Sequence, residues 1–115
     1  MLRATGGELP FAVVGWSFGG DVTLASADPR ARALVAIAPP LRFVARFTHL
    51  EHDDRAKLVI LAANDEVIDN DVARSLAPQW PNTELVDVVG ASHYFIGRTD
   101  IVSAKVLAFL EGLRR

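Results

Sequence analysis

An apolar strand that runs straight into a glycine-flanked serine leaves a chain few folds to choose from. Here Phe11-Ala12-Val13-Val14 leads into Gly15-Trp16-Ser17-Phe18-Gly19, a G-x-S-x-G sequence. A serine on a sharp strand-to-helix turn has its hydroxyl pushed out at the carboxyl edge of a sheet, and small flanking glycines let neighbouring backbone come close to that turn. The bare pattern arises by chance in about 4% of chains this long, so its surroundings carry the weight. They fit: residues 18–27 read as helix, with no proline before Pro29 and with Val22, Leu24 and Ala25 placed to face a sheet.

Three further apolar runs follow at residues 33–38, 57–62 and 83–89, so that with residues 11–15 four strands alternate with helical or long connecting stretches. Near-continuous apolar strands of this kind are covered on both faces, and parallel neighbours need crossovers that the intervening stretches are long enough to provide. The expectation is an α/β fold with about four parallel strands and flanking helices. Residues 100–113 close the chain as an amphipathic helix, with Ile101, Val102, Ala104, Val106, Leu107, Phe109, Leu110 and Leu113 packing back on the sheet.

Composition narrows the function. The chain has 115 residues, 50% of them hydrophobic, and reads as one domain over residues 1–115 with no internal repeat or linker. A net charge of −2 with acids and bases interspersed provides no basic face for nucleic acid. No apolar run approaches the roughly 20 residues that span a bilayer, so no membrane partner is expected. The lack of cysteine removes disulfides, cysteine ligands and cysteine nucleophiles, and fits a cytoplasmic protein.

A serine hydroxyl is a poor nucleophile until an imidazole takes its proton and a carboxylate orients that imidazole. Both groups stand just beyond strand ends: Asp65 in Asn64-Asp65-Glu66 after the third run, and His93 in Gly90-Ala91-Ser92-His93 after the fourth. Asp65 is the candidate acid, with Glu66 the main alternative and Asp69 a further neighbouring carboxylate. The other two histidines, His49 and His52, sit in a polar stretch with Glu51, Asp53 and Asp54 and read as solvent-facing rather than as metal ligands. No metal or cofactor is expected.

Together these pieces resemble the carboxyl-terminal half of an α/β-hydrolase, nearest to small, lid-less bacterial members with G-x-S-F-G and a late G-A-x-H-x-F. The matching segments are Gly15-Trp16-Ser17-Phe18-Gly19-Gly20, Ala38-Pro39-Pro40, Asn64-Asp65-Glu66-Val67-Ile68 and the run from Gly90 to Arg98, which span nearly the whole chain. The order serine, acid, histidine is the one this family uses. The resemblance implies a triad of Ser17, Asp65 and His93, with the Phe18 N–H as one oxyanion donor, acting on a small carboxylic ester or related acyl substrate. The family usually has glycine where Ala62 or Ala63 precedes the acid, a minor departure.

The larger departure is upstream, where a complete member carries several strands and the loop that supplies a second oxyanion donor. Met1-Leu2-Arg3-Ala4-Thr5 reads as the last turn of a helix stopped by Gly6-Gly7, so the domain is expected to be incomplete. Losing one oxyanion donor costs about 2.7–4 kcal/mol of transition-state stabilisation, which sets up two expectations of different kinds. One is a serine hydrolase with an open, shallow site, since helix and strands already fill the stretch between Ser17 and Asp65 and leave no room for a large lid. The other is a non-catalytic module that acts through a partner chain or self-assembly, a homodimer covering the exposed sheet edge at residues 11–14. The connection 39–55 holds Leu41, Phe43, Val44 and Phe47, which either wall a substrate pocket or pack under the loop.

Overall fold

The computed structural model describes residues 11–113. The helix end read at the first seven residues lies outside them. Four strands, β1 (Ala12–Trp16), β2 (Ala33–Ile37), β3 (Ala56–Ala62) and β4 (Thr83–Val88), form one sheet in the order β1-β2-β3-β4. Every pairing is parallel, with Val14 beside Val35, Val35 beside Leu58 and Leu58 beside Glu84. Each strand falls within one residue of its expected bounds at either end. β2 and β3 are the central strands and are almost entirely buried, which is why their sequences are apolar without alternation.

Helix α1 (Phe18–Ser26), a 3₁₀ stretch at Val44–His52 and helix α2 (Asn70–Leu76) provide the three crossovers. They cover one face of the sheet, where Leu24, Leu34, Ala36, Leu50, Val59, Leu61 and Trp80 form a closed core. Helix α3 (Thr99–Gly112) covers the other face through Val102, Val106 and Phe109, over Val35, Leu58, Ile60 and Val88. The expectation that all its apolar positions pack on the sheet is corrected: Ile101 and Leu107 are exposed. Apolar residues that surround most of a helix cannot all meet one sheet face, and only the i, i+4, i+7 stripe does. Because α3 lies over the central strands, β1 residues of the same face, Val14 and Trp16, stay 49% and 46% exposed.

Inside α1 the expected phase is also corrected, since Val22 is exposed whereas Asp21 and Thr23 are buried beside Leu24. The reason lies in their hydrogen bonds. Thr23 Oγ1 donates to the Gly19 carbonyl at 2.9 Å, and Asp21 accepts from the Leu41 and Arg42 N–H groups at 2.7 and 3.2 Å. With partners supplied for both polar groups, the helix turns them inward. Burial pushes the Asp21 carboxyl up despite those bonds.

The amino-terminal edge of the sheet is closed by basic side chains. Lys57 is fully buried, its ammonium donating to the carbonyls of Asp53, Arg55 and Pro81, and burial pushes its pKa down. Arg55 reaches the carbonyls of Ala27, Asp28 and Ala31 and pairs with Asp53 at 2.6 Å. The guanidinium bonds hold the Asp53 carboxyl at about 2, against an ordinary 3.8. Its contribution to stability is therefore complete above the ordinary value and is lost as pH falls through the folded one. Asp53→Asn should flatten the fall of the thermal midpoint as pH drops from 3.8 toward about 2; an equally steep fall in both proteins would contradict this.

The glycines of the serine turn are not equivalent. A methyl group at Gly15 would overlap the Gly19 carbonyl oxygen and Thr23 Oγ1, whereas one at Gly19 would meet open space. Gly20, outside the pentapeptide, is the second tight position, facing the Pro39 and Ala36 side chains at 3.2 and 3.4 Å. Gly15→Ala should destabilise the fold by about 2 kcal/mol or more through overpacking, and Gly19→Ala should be neutral or slightly stabilising. Urea unfolding of the two variants checks this, and equal midpoints would refute the asymmetry.

Candidate active site

Ser17 stands between β1 and α1 with φ 56° and ψ −124°, a backbone conformation that L residues rarely adopt. Such a residue costs on the order of 1–3 kcal/mol and persists only where its surroundings fix it. They do so here: the Ser17 N–H donates to the Ile37 carbonyl on β2 at 2.7 Å, and the Ser17 carbonyl accepts from Gly20 N–H at 2.8 Å as α1 begins. The turn lifts the side chain above the carboxyl edge of the sheet, where two other strands deliver their ends.

The Ser17 hydroxyl lies 3.0 Å from His93 Nε2, although 76 positions separate them. His93 Nδ1 lies 2.8 Å from Asp65 Oδ2. The Asp65 side chain is fully buried, and its Oδ1 accepts from the N–H groups of Val67 and Ile68 at 2.8 and 2.7 Å. Since an ionised carboxylate only accepts, Nδ1 carries the imidazole proton and Nε2 is left to accept from the serine hydroxyl. The structure thus brings the three sequence candidates into one hydrogen-bonded line.

Glu66, the rival carboxylate, does not touch the imidazole. Its Oε1 accepts from the backbone N–H of His93 at 2.8 Å, and that bond is the main cause holding its carboxyl below the usual range. Asp69 caps α2, accepting from the Asp71 N–H. His49 and His52 are exposed, with the His49 ring bonded to the Leu24 carbonyl at 2.9 Å. Among the described residues no group of three or more His, Cys, Asp or Glu is arranged to hold a metal ion, and no helix is long and apolar enough to cross a membrane.

The first helical residue after the serine is Phe18, whose N–H has no acceptor within the helix and points with the positive end of the α1 dipole. An oxyanion formed at Ser17 would need such a donor. Sequence reasoning did not identify the aromatic surroundings of His93. Trp16 stacks on the imidazole at 5.7 Å and 28°, and Tyr94 meets it edge-on at 5.1 Å. Strand alternation held the signal for Trp16, because it puts the residue on the same sheet face as Val14. Asp21 was missed too, although it fixes the Leu41-Arg42 backbone beside the serine helix.

Two open grooves of about 340 Å³ flank the line. One, along α1, is lined by Phe18, Val22, Ala25, Arg42, Phe43 and Phe47. The other lies between Trp16, Ile37, Tyr94, Phe95 and Val102. In the connection 39–55, Leu41 and Phe47 pack into the core, while Phe43 stays exposed and lines the first groove, the Arg46 guanidinium over its ring at 4.9 Å.

No family model matches the sequence, and no curated protein does. Solved structures do match. A CIB-like hydrolase from Thermoplasma acidophilum aligns with 90% of this chain and 51% of its own at TM-score 0.74 and 17% identity. Est1E from Butyrivibrio proteoclasticus aligns with 94% of this chain and 63% of its own at TM-score 0.75 and 17% identity. XC6422 from Xanthomonas campestris, an α/β serine hydrolase without a lid, aligns with 90% of this chain and 46% of its own at TM-score 0.60 and 25% identity. The all-parallel sheet, its flanking helices and these likenesses agree: the chain has the α/β-hydrolase fold, over about half the length of the hydrolases it matches.

Proposed function

We propose that the chain is a serine hydrolase acting on a small carboxylic ester or related acyl substrate. The observation that carries this reading is the continuous line Ser17 Oγ, His93 Nε2, His93 Nδ1, Asp65 Oδ2, with separations of 3.0 and 2.8 Å across its two hydrogen bonds. His93 takes the hydroxyl proton as Ser17 Oγ attacks the acyl carbon, and Asp65 stabilises the imidazolium that results. The Phe18 N–H donates to the oxyanion. The imidazolium returns its proton to the departing alkoxide, leaving an acyl-serine. Water then loses a proton to His93, attacks the acyl carbon, and the proton returns to Ser17 Oγ as the acid leaves.

The groove that begins at Phe18 is shallow and apolar and suits a small or protruding acyl group better than a long buried one. Est1E, one of the structures this chain is similar to, has been solved with ferulic acid bound, which favours an aromatic or short apolar acyl group here. A cytoplasmic site of action goes with this reading. Ser17→Ala and His93→Ala should each lower kcat on p-nitrophenyl acetate by about 10³-fold or more, and Asp65→Asn by a comparable factor through the wrong imidazole tautomer. A fluorophosphonate should label wild type at Ser17; equal labelling of Ser17→Ala would refute the assignment.

A second reading is favoured by one specific observation. Among the described residues β1 is paired on one side only, and its Val14 and Trp16 are half exposed, the Trp16 ring meeting the exposed Tyr94 edge-on at 5.7 Å. A flat apolar edge of this kind is usually paired or covered. Self-association through it, as a homodimer that extends the sheet, is compatible with hydrolysis and is an alternative to it if the site is idle. Light scattering at micromolar concentrations should give a dimer that Val14→Lys disperses; a monomer throughout would refute it.

A further inference from the structure

Resting on the hydrolytic reading above, we infer that Glu66 is a positioning residue that sets the height and tilt of the His93 imidazole by gripping its main chain. His93 lies in the irregular run 89–98, where Gly90, Phe95 and Gly97 all have positive φ and the segment has no strand neighbour of its own. What fixes it is the segment that follows β3. The Ala63 N–H donates to the Val88 carbonyl at 3.1 Å and the Asn64 N–H to the Ala91 carbonyl at 2.9 Å. Asp65 then holds the imidazole and Glu66 the N–H of the same residue.

These four contacts continue the β3–β4 pairing beyond the strand ends, with side chains taking over where backbone stops. The Asp65 and Ser17 bonds and the Trp16 and Tyr94 rings hold the imidazole, but none of them holds the main chain that carries it. Adding a bond at the backbone N–H fixes both ends of His93, so Nε2 stays aimed at Ser17. Adjacent carboxylates on one turn thus divide the work: the buried one takes the ring, and the exposed one takes the chain. The ionised state of Glu66 is favoured by the same bond, which lowers its pKa. Glu66 itself touches neither Ser17 nor the imidazole.

The test uses the full chain with Glu66→Ala and Glu66→Gln, the second keeping an oxygen that can accept from the His93 N–H. Glu66→Ala should lower kcat on p-nitrophenyl acetate, and the rate of fluorophosphonate labelling at Ser17, by about 10- to 100-fold with KM changed less than about twofold. Glu66→Gln should recover most of that loss. Since Glu66 is exposed, the thermal midpoint of either variant should stay within about 4 °C of wild type. Amide exchange at His93, read by NMR, should quicken in Glu66→Ala and not in Glu66→Gln, a readout that needs no activity.

Wild-type kcat in Glu66→Ala alongside an inactive Ser17→Ala would overturn the role of Glu66 and leave the hydrolytic reading standing. A Glu66→Gln variant as slow as Glu66→Ala would overturn it as well, because charge and not the backbone bond would then be responsible. Unchanged His93 amide exchange in Glu66→Ala would do the same. A fully active Ser17→Ala would instead sink the hydrolytic reading and this inference with it.

Discussion

Parallel pairing is the constraint from which the rest of the molecule follows. In a sheet whose strands all run one way, every carboxyl end lies on the same edge, and residues far apart in sequence are forced to be neighbours there. The stepped bonds at that edge show how the heights are set. Ser17 N–H reaches the Ile37 carbonyl, Ala38 N–H the Ile60 carbonyl and Ala63 N–H the Val88 carbonyl, each chain bonding its neighbour just past the end of the strand. Ser17 and the Asp65-Glu66 turn are therefore fixed relative to one backbone lattice, and the 89–98 segment is tied to it through His93.

That lattice explains why strain is tolerated at the serine. A positive φ at Ser17 is unfavourable by itself, but its N–H and carbonyl are each bonded to different elements, and Gly15 lets α1 sit close enough for this to happen. At the opposite edge, Arg55 and Lys57 collect the carbonyls of the incoming turns, so polar backbone is satisfied there without water. The sheet is thus closed chemically at one end and open at the other, with Ser17, Asp65 and His93 at the open end.

Much of this was legible in the sequence because the relevant signals are strong and local. Apolar runs without alternation mark buried parallel strands, and G-x-S-x-G, Asn-Asp-Glu and Gly-Ala-Ser-His each sit just beyond one. What was not legible depends on three-dimensional partners. Asp65 and Glu66 are equivalent as sequence, and only the turn that gives Asp65 Oδ1 two backbone donors sends one carboxylate inward and the other to the His93 main chain. Asp21 replaced Val22 at the α1 interface because its bonds to the Leu41 and Arg42 N–H groups are a tertiary contact no periodicity reveals, and Thr23 joins it because its hydroxyl bonds back to the Gly19 carbonyl within the helix. The half-bare α3 and the stacked Trp16 reflect how far one helix reaches across four strands.

In the proposed reaction a proton sits on His93 Nδ1, shared with the buried Asp65, so that Nε2 receives the Ser17 proton. Proton NMR of the intact chain, with the imidazole ring nitrogens isotopically labelled, tests it directly. The expected spectrum has a strongly downfield Nδ1–H resonance at neutral pH that disappears in His93→Ala and moves upfield in Asp65→Asn. A spectrum in which the proton resides on Nε2, or in which no downfield ring proton exists, would contradict it.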